Sequence, residues 1–338
     1  MSKIGLSIVI PMYNAESWIT PTVHHLLSAL DKSNFKAEII IVDDGSTDSS
    51  VQEAKSITAP KGVVLNLIEQ ENKGRYLARK VGVTRSAYDN ILFIDSRVYA
   101  GEDSLRYLSE QLKGDQDQIW NGHVNIDKEG NIFARFWDAI VCIAWRRYFK
   151  NPRTTSYGIN EFDYYPKGTG FFYVAKYRLQ AAMDDFELKT NDIKFSSDDT
   201  LLIRYMIERQ DIHLSPDFSC LYNNRSTFKG FLQHAYNRGQ FFVDGFLRPG
   251  TRFFYPLILV LLGSLLAFIA VIVDPSLLII VLAGVGLFVP VLFFGAIILG
   301  IRIADAFALA ILGIPFAVVY GAGLWRGVLR VPGNYWSR

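Results

Sequence analysis

Two stretches of this sequence decide the fold: residues 7–16, SIVIPMYNAE, and residues 39–50, IIIVDDGSTDSS. Each begins with a run of apolar, mostly β-branched residues without charge, which is typical of a strand covered on both faces. Each then changes abruptly to polar, turn-forming residues. The chain therefore predicts two buried strands that end in polar loops.

The same pattern recurs further along the chain. Apolar runs at residues 63–68 and 91–94 are also predicted to be strands covered on both faces, and residues 16–31 and 49–58 have the length of crossover helices. Alternating strands and helices predict an α/β fold with a mostly parallel, Rossmann-like sheet. Ligands of such sheets bind beyond the carboxyl ends of the strands.

Three of the predicted strands end in polar or aromatic residues. These residues are Pro11, Met12, Tyr13 and Asn14 after the first strand, Asp43, Asp44, Gly45 and Ser46 after the second, and Asp95, Ser96 and Arg97 after the fourth. Carboxylates and an aromatic ring are therefore expected at one edge of the sheet. No GxGxxG or Walker sequence follows any of these strands, so neither a dinucleotide site nor a P-loop is predicted.

The charges of the 338-residue chain are distributed unevenly, although its net charge is only +2. Residues 254–325 contain just three charged side chains, Asp274, Arg302 and Asp305. A bilayer core of about 30 Å needs roughly 20 apolar residues in a helix. Three runs in this part meet that length and are apolar on all sides, unlike the amphipathic helices of a soluble core: residues 255–273, 277–301 and 306–323. The sequence predicts an integral membrane protein.

The rest of the composition indicates which partners are excluded and in which cellular compartment the N-terminal region lies. The charges of residues 1–253 cancel, which argues against a nucleic-acid partner. Cys142 and Cys220 have no disulfide or metal-ligand spacing, which suits a reducing compartment. The first thirty residues lack the basic leader and cleavage site of a signal peptide. We therefore expect the N-terminal region to lie in the cytosol.

The middle of the chain is less regular. Residues 131–150 have a helical spacing of apolar and aromatic side chains, and Arg146, Arg147 and Lys150 cluster at the end. This pattern fits either a helix in the membrane interface or a helix packed on the core. Residues 167–170 are expected to form a loop before a strand at 171–175.

Five segments, in this order and at this spacing, resemble the motif set of the family 2 glycosyltransferases, which have the GT-A fold. They are residues 7–16, 39–50, 71–82 (ENKGRYLARKVG), 91–97 (ILFIDSR) and 196–206 (SSDDTLLIRYM). The resemblance covers about residues 4–250. Within the family, the chain is most similar to membrane-attached enzymes of the succinoglycan glucosyltransferase type. We therefore expect a cytosolic GT-A domain at 1–250, including the helix at 131–150, a membrane domain at 254–325 and a basic tail at 326–338.

The resemblance implies a nucleoside diphosphate sugar, UDP-linked, as donor. Pro11 and Tyr13 would form a stacking wall for the base, and Asp43 resembles the family's base-contacting aspartate, although it could also be a simple turn former. Asp44 is expected to stabilise the turn or the neighbouring helix start. The residues expected to bind the nucleotide sugar are Pro11, Tyr13, Asn14, Glu16, Asp43, Gly74, Arg79, Asp95 and Arg97.

The segment at 71–82 is expected to contribute arginines to the diphosphate. Arg79 matches the arginine of the family. Arg75 lies one helical turn earlier and could face the same diphosphate, but a solvated surface position is the preferred interpretation for Arg75 and Lys73.

The segment at 91–97 departs from the family pattern. The family has Asp-x-Asp here, a pair that helps to bind ribose and a divalent cation, Mg²⁺ or Mn²⁺. Asp95 matches the first aspartate, but Arg97 replaces the second. Hard cations need several oxygen ligands, so three outcomes are open: metal still binds through Asp95, the Arg97 guanidinium neutralises the diphosphate itself, or the protein is inactive.

Two adjacent carboxylates in the last motif are the candidate catalytic residues. The resemblance implies that Asp199 is the general base for an acceptor hydroxyl and that Asp198 orients it or its neighbours, in a single displacement that inverts the anomeric configuration. Helix capping by Ser197 and Asp198 is the structural alternative.

Residues 226–242, STFKGFLQHAYNRGQFF, stand where processive synthases have Gln-x-x-Arg-Trp. Gln233, His234 and Arg238 do not match that spacing, so we expect non-processive transfer. His234 and Arg238 could contact the diphosphate or the acceptor, or could meet anionic lipid. The residues assigned to acceptor or diphosphate are Gly168, Thr169, Gly170, His234 and Arg238.

The orientation in the membrane is only partly determined by the sequence. Basic residues before the first apolar run place that end in the cytosol, so Asp274 would lie outside and Arg302 inside. A third span would put the basic tail at 326–338 outside, against the rule, and Pro290 and Pro315 could allow a broken or re-entrant segment. Three spans and an even number both remain open.

The sequence thus predicts a glycosyltransferase of a bacterial or archaeal plasma membrane. It would transfer one sugar to a lipid-linked acceptor of cell-envelope or exopolysaccharide synthesis, with membrane lipids as its other partners. Two alternatives remain: a polyprenyl-phosphate glycosyltransferase, whose ionised acceptor needs no base, and a catalytically inactive nucleotide-binding membrane scaffold, which Arg97 alone suggests.

Overall fold

The structure is a computed structural model that describes residues 3–189 and 198–330. The chain divides into two compact units, the first formed by Met1–Asp127 with Asn151–Asn223 and the second by Lys128–Lys150 with Asn224–Arg338. This division differs from the predicted boundary near residue 250. The predicted helix at 131–150 groups with the C-terminal apolar helices because its apolar face packs against them.

Within the described residues, the strands of the first unit form one sheet. They are β1 (Ile4–Met12), β2 (Phe35–Asp43), β3 (Val64–Glu69), β4 (Asn90–Ile94), β5 (Val98–Ala100), β6 (Ile119–Ile126), β7 (Thr155–Tyr157), β8 (Phe171–Ala175) and β9 (Ile212–Tyr222). Their order is β3-β2-β1-β4-β8-β6-β9-β5, and β7 pairs with β9. The strands β3, β2, β1 and β4 are parallel, as predicted, whereas β8 is antiparallel to β4 and β6.

The helices lie between and after these strands. In chain order they are α1 (Ile19–Asp31), α2 (Ser50–Ser56), α3 (Arg75–Arg85), α4 (Ser104–Gln111), α5 (Ile132–Ala144), α6 (Arg146–Phe149), α7 (Lys176–Lys189), α8 (Asp198–Ile207), α9 (Phe228–Phe246), α10 (Phe254–Val273), α11 (Leu278–Ile298) and α12 (Ile303–Arg330). Short 3-10 helices cover Ile159–Tyr164 and Pro275–Leu277. The second unit contains α5, α6 and α9 to α12.

The apolar runs of β1 and β2 form the centre of the first unit. Ile8, Ile10, Ile39 and Ile41 are fully buried, which removes their apolar surface from water and favours folding. β3 was predicted to be covered on both faces, but that prediction is wrong. It is the edge strand of the sheet, and Val64 is 56% exposed.

The strands β1 and β2 end at the same level of the sheet. Pro11 pairs with Val42 and Met12 pairs with Asp43 in a parallel register. Because parallel strands end at a common edge, the polar residues that follow β1 and β2 are brought side by side.

The predicted helix at 131–150 is two helices rather than one. The Asn131 side chain accepts hydrogen bonds from the backbone N–H groups of Phe133 and Ala134, both at 3.0 Å, and so caps α5. Trp145, with φ −113° and ψ 40°, leaves the helical region and separates α5 from α6. The apolar face of α5, with Phe136, packs against α9, α11 and α12.

The described part of the chain has three helices that are long and apolar enough to cross a membrane: α10, α11 and α12. They coincide with the three predicted runs to within a few residues at most ends, although α12 extends further at its carboxyl end. Most side chains of α10 and α11 are exposed, which suits surfaces that face lipid.

Candidate active site

The candidate site is built on the carboxyl ends of β1, β2 and β4, on the first two turns of α3 and on the first turn of α8. Asp95 directly follows β4, Arg79 lies in the second turn of α3, and Asp198 and Asp199 open α8. In the sheet, β1 lies between β2 and β4. The three predicted strand ends therefore share one edge.

Arg79 is the centre of an ion-pair network that joins three carboxylates. Its Nη1 atom donates to Asp198 Oδ2 at 3.0 Å and to Asp199 Oδ1 at 2.6 Å, and its Nη2 atom donates to Asp95 Oδ1 at 2.7 Å. The Nη2 atom of Arg75 donates to Asp198 Oδ1 at 2.8 Å and to Asp199 Oδ2 at 3.2 Å. Acids from two distant motifs thus meet in one cluster with two arginines.

This network is buried on one side and exposed on the other. The Arg79 side chain is fully buried and that of Asp198 is 4% exposed, whereas Asp95 and Asp199 are each 28% exposed and Arg75 is 46% exposed. Buried charges are costly unless they are paired, so Arg79 and Asp198 depend on each other. The exposed members are those that a ligand can reach.

The surroundings of Asp199 keep its carboxyl group ionised. Burial would raise its pKa, because it disfavours the charged form. The positive charges of Arg75 and Arg79, with hydrogen bonds from Thr169 and Arg79, outweigh burial and hold the pKa of Asp199 well below its ordinary value of 3.8. In this arrangement Asp199 is a weaker base than an isolated carboxylate.

We expect the stabilisation contributed by Asp199 to disappear in acid. Because its pKa is lower in the folded chain, the contribution is complete above the unfolded value, near 3.8, and is lost as the pH falls through the folded value. The difference in unfolding free energy between wild type and Asp199→Asn should be constant above about pH 5 and shrink below about pH 4. Denaturant unfolding in detergent at several pH values measures this difference, and growth of the difference in acid would contradict the ion pairing.

The predicted loop before β8 adds contacts to the network. Thr169 is fully buried and donates its hydroxyl hydrogen to Asp199 Oδ1. The Gly170 carbonyl accepts a hydrogen bond from the Asp95 backbone N–H at 2.9 Å. A Cβ atom at Gly170 would lie 3.1 Å from Asp95 Oδ2, so the glycine permits this close approach. Thr169 and Gly170 therefore lie beside the acids.

The two aspartates at the end of β2 have different partners. Asp43 accepts hydrogen bonds from the backbone N–H and the hydroxyl group of Ser46, which is turn geometry. Asp44 accepts from the backbone N–H groups of Lys73 and Gly74, both at 2.8 Å, at the start of α3. This contact agrees with the stabilising role predicted for Asp44. Gly74 has a φ of 99°, which favours glycine.

The residues after β1 hold the neighbouring loop and present one aromatic ring. The side chains of Asn14 and Glu16 accept hydrogen bonds from backbone N–H groups of the loop after β2, at 2.8 Å and 3.0 Å. Pro11 is buried and lies within β1, which continues to Met12. Tyr13 is 50% exposed, so it is the member of the predicted stacking pair with an accessible ring.

Arg97 lies over an aromatic ring. Its guanidinium carbon is 5.0 Å from the centroid of the Trp18 ring, a cation–π contact. Among residues 3–189 and 198–330, no group of three or more His, Cys, Asp or Glu side chains is arranged to hold a metal ion. The described side chains therefore do not form a metal site by themselves, and a cation bound through Asp95 would take its other oxygen ligands from the diphosphate and water.

The other predicted contact residues are spread over both units. In the first unit, the Gly168 backbone N–H donates to Asn121 Oδ1 at 3.1 Å. In the second, His234 Nδ1 is 2.6 Å from Arg225 Nη1, and Arg238 is exposed on the same helix, α9. The ion-pair network around Arg79 is formed without His234 and Arg238. Ser197, the alternative helix cap, lies outside the described residues.

Arg75 is the site residue whose ion pairs the preferred sequence interpretation missed. Its side chain is 46% exposed, as expected for a surface position, yet it pairs with both Asp198 and Asp199. Its spacing of four residues from Arg79 places both on one face of a helix, and this spacing was the available signal. The partner acids lie more than 120 positions away, and no periodicity reaches so far.

A mostly parallel sheet with acids and arginines gathered at its strand ends defines an α/β protein with a site for a polar ligand. Residues 7–178 match the family described as Glycosyl transferase family 2. Because this match covers half of the chain, the chain belongs to the family 2 glycosyltransferases. The predicted membership of this family is confirmed, as is the mixed α/β fold class. The match contains the first four motifs and ends before the fifth, at 196–206.

Several known proteins are similar to parts of this chain. An uncharacterised glycosyltransferase of Haemophilus influenzae is 32% identical over 127 residues, 37% of this chain and 50% of that protein. Dodecaprenyl-phosphate galacturonate synthase of Rhizobium johnstonii is 32% identical over 84 residues, 25% of each chain. The chain thus spans half or less of these curated relatives. The crystal structure of Staphylococcus aureus TarS 1–349 with UDP-GlcNAc aligns with 72% of this chain and 67% of that one, at 15% identity and a TM-score of 0.48.

Proposed function

We propose that this chain is an inverting, non-processive glycosyltransferase that moves one sugar from a UDP-linked donor to a hydroxyl group of a membrane-held, lipid-linked glycan. The setting is cell-envelope or exopolysaccharide synthesis at a plasma membrane. The main support is the network in which Arg79 brings Asp95 and Asp199 within hydrogen-bond distance of one guanidinium. The apolar helices α10 and α11 suit an enzyme whose acceptor is held in a bilayer.

The donor is proposed to bind at the common edge of β1, β2 and β4. The exposed ring of Tyr13 is available to stack on the base, and Asp43, at the adjacent strand end, is the acceptor for its imide proton. Arg75 is half exposed, and a diphosphate is a stronger competitor for a guanidinium fork than a carboxylate, because it carries more charge. Arg75 therefore turns from the acids to the diphosphate when the donor binds.

Asp199 is the proposed general base. Its carboxylate takes the proton of the acceptor hydroxyl while the hydroxyl oxygen attacks the anomeric carbon. The bond from that carbon to the diphosphate oxygen breaks, and the diphosphate leaves with the electron pair. One displacement of this kind inverts the configuration. Asp198 is a positioning residue, since its buried carboxylate holds both Arg75 and Arg79.

Donor binding and base strength are coupled in this arrangement. Two guanidinium groups lower the pKa of Asp199. When Arg75 moves to the diphosphate, one positive charge leaves the neighbourhood of Asp199, and its pKa rises towards the ordinary value. Asp199 thus becomes a better base only when a donor is present.

A second candidate function is transfer to a polyprenyl phosphate. The low pKa of Asp199 favours it, because such an acceptor is already ionised and needs no base. The Rhizobium johnstonii relative is named for a dodecaprenyl-phosphate product. Mass analysis of the product lipid separates the two candidates, since one gives an extended glycan and the other gives a sugar on a polyprenyl phosphate.

The proposal is tested first by binding and then by transfer. Purified full-length chain in nanodiscs is screened by thermal unfolding against a panel of nucleoside diphosphate sugars, with and without Mg²⁺ or Mn²⁺. A donor that binds the folded state raises the unfolding temperature by mass action. Absence of a shift with every sugar would contradict the proposal. Binding without hydrolysis or transfer would instead favour the inactive scaffold.

Arg97→Ala combined with a chelator is expected to show which group neutralises the diphosphate. If metal binds through Asp95, EDTA abolishes transfer by the wild type and added Mg²⁺ or Mn²⁺ restores it, because a hard cation offsets the phosphate charge. We expect this dependence, and we expect Arg97→Ala to lose less than tenfold in rate, about 1.4 kcal/mol, since Arg97 contacts Trp18.

The opposite result would show that Arg97, and not a metal ion, neutralises the diphosphate. Full transfer in EDTA together with a collapse in Arg97→Ala would contradict the expected metal dependence. Arg85→Ala, on the exposed last turn of α3, removes an arginine outside the network and is the matched control.

A further inference from the structure

Helix α12 has one buried face and one exposed apolar face. The buried face packs on other helices of the second unit through Ala306, Leu309, Leu312 and Leu324. The exposed face repeats at helical spacing along the whole length of α12. Its large members are Ile303, Phe307, Ile311, Val318 and Leu329. Such a continuous apolar stripe needs a lipid environment, but it does not show whether α12 crosses the bilayer.

The beginning of α12 lies beside the end of α11. Only residues 299–302 separate the two helices, and Ile297 of α11 packs in one cluster with Ala306 of α12. Asp305, in the first turn of α12, is buried and pairs with Arg135 at 3.1 Å. The first turn of α12 is therefore at the level of the membrane at which α11 ends.

The other end of α12 lies beside the beginning of α10. Leu324 packs with Leu257 and Leu261 of α10, and the Trp325 Nε1 atom donates to Ser264 Oγ at 3.1 Å. Phe254, the first residue of α10, packs in the same cluster. The carboxyl end of α12 is therefore at the level of the first three turns of α10.

The positions of the two ends of α12 are incompatible with a third crossing of the membrane by this helix. Because α10 and α11 are joined by a short turn at 274–277, the start of α10 and the end of α11 lie on the same side if both cross. From residue 303 to residue 325 a helix rises about 33 Å, more than the bilayer core of about 30 Å. A crossing α12 would bring Trp325 level with Val273 at the far end of α10. It lies instead near Ser264, only about 15 Å along α10.

Helix α9 supports the same conclusion through its polar face. It runs beside the carboxyl half of α12 in such close contact that a Cβ atom at Gly239 would lie 2.4 Å from the Tyr320 carbonyl oxygen. The outer face of α9 exposes Gln233, Asn237 and Arg238. An arginine at the centre of a membrane helix costs about 2.5–3.5 kcal/mol or more. The carboxyl half of α12 is therefore held where polar side chains can reach water.

We infer that α12 does not cross the membrane but stays in the leaflet in which α10 begins, with its apolar stripe among the acyl chains of that leaflet. The partner of this surface is the lipid bilayer itself, continuous with the lipid around α10 and α11. Two crossings remain, and Arg252, Arg302, Arg326 and Arg330 then lie on one side, next to the lipid phosphates. This arrangement satisfies the positive-inside rule, which a third crossing would violate.

The sidedness of single cysteines tests this inference. In a full-length chain with Cys142→Ser and Cys220→Ala, one cysteine is introduced by Ser276→Cys between α10 and α11, by Arg302→Cys between α11 and α12, or by Arg326→Cys near the end of α12. A membrane-impermeant maleimide is applied to intact cells and to inverted vesicles. We expect Arg302→Cys and Arg326→Cys to react from the same side and Ser276→Cys from the other. Reaction of Arg326→Cys and Ser276→Cys from the same side would overturn the inference, whichever side is cytosolic.

Discussion

Asp199→Asn is expected to lower the rate of sugar transfer to a hydroxyl acceptor by about 10²- to 10⁴-fold, the usual contribution of a positioned general base. Asparagine has nearly the same size and can still accept the Thr169 hydroxyl hydrogen, but it cannot take a proton from the acceptor. Affinity for UDP should be unchanged or higher, because Arg75 and Arg79 lose one competing carboxylate. Initial rates with labelled donor measure the first effect, and calorimetric titration with UDP measures the second.

A control variant and the opposite outcome both test the assignment of Asp199 as the general base. Asp184→Asn changes an exposed aspartate of α7 and should leave transfer at the wild-type rate. If Asp199→Asn transfers at a near-normal rate, Asp199 is not the base. If the product is then a polyprenyl phosphate sugar, the second candidate function replaces the first, since an ionised acceptor needs no base.

The strand ends of the site could be predicted from the sequence because they depend on local patterns. An apolar β-branched run followed by Asp43 or Asp95 predicts both the strand and the place where it stops. Parallel pairing then puts these residues at one edge without knowledge of any tertiary contact. The structure has β1, β2 and β4 in that arrangement.

The features that sequence reasoning missed depend on contacts between distant segments. Arg75 has the pattern of a surface residue until Asp198, more than 120 positions later, is placed beside it. The position of β3 at the sheet edge follows from strand order rather than from its own composition. Likewise, α5 joins the second unit because Phe136 packs with Phe231 and Leu309, which no property of residues 131–150 alone specifies.

Arg79→Met is expected to have the largest effect on stability, a loss of about 3–5 kcal/mol, which is typical when one partner of a buried ion pair is removed. Methionine fills a similar volume but removes the buried guanidinium that pairs with Asp198 at 3.0 Å, so Asp198 keeps only the pairing with the half-exposed Arg75 that is described above. Arg75→Met is the matched control. It removes the same chemical group from the same two carboxylates, yet Arg75 is 46% exposed and an exposed pair is worth about 0–1 kcal/mol. Denaturant unfolding of both variants in detergent gives the two values.

A second substitution separates lost charge pairing from lost packing. If Arg79→Met destabilises mainly by taking one of two guanidinium partners from a buried carboxylate, Asp198→Asn in the same chain should recover part of the loss, because a neutral amide costs less to bury than an incompletely paired carboxylate. If the loss comes from packing alone, the two substitutions should add instead. Additivity, or equal effects of Arg79→Met and Arg75→Met, would contradict the central place given to the Arg79 guanidinium. Recovery would show that the three carboxylates depend on the buried Arg79 guanidinium for their positions.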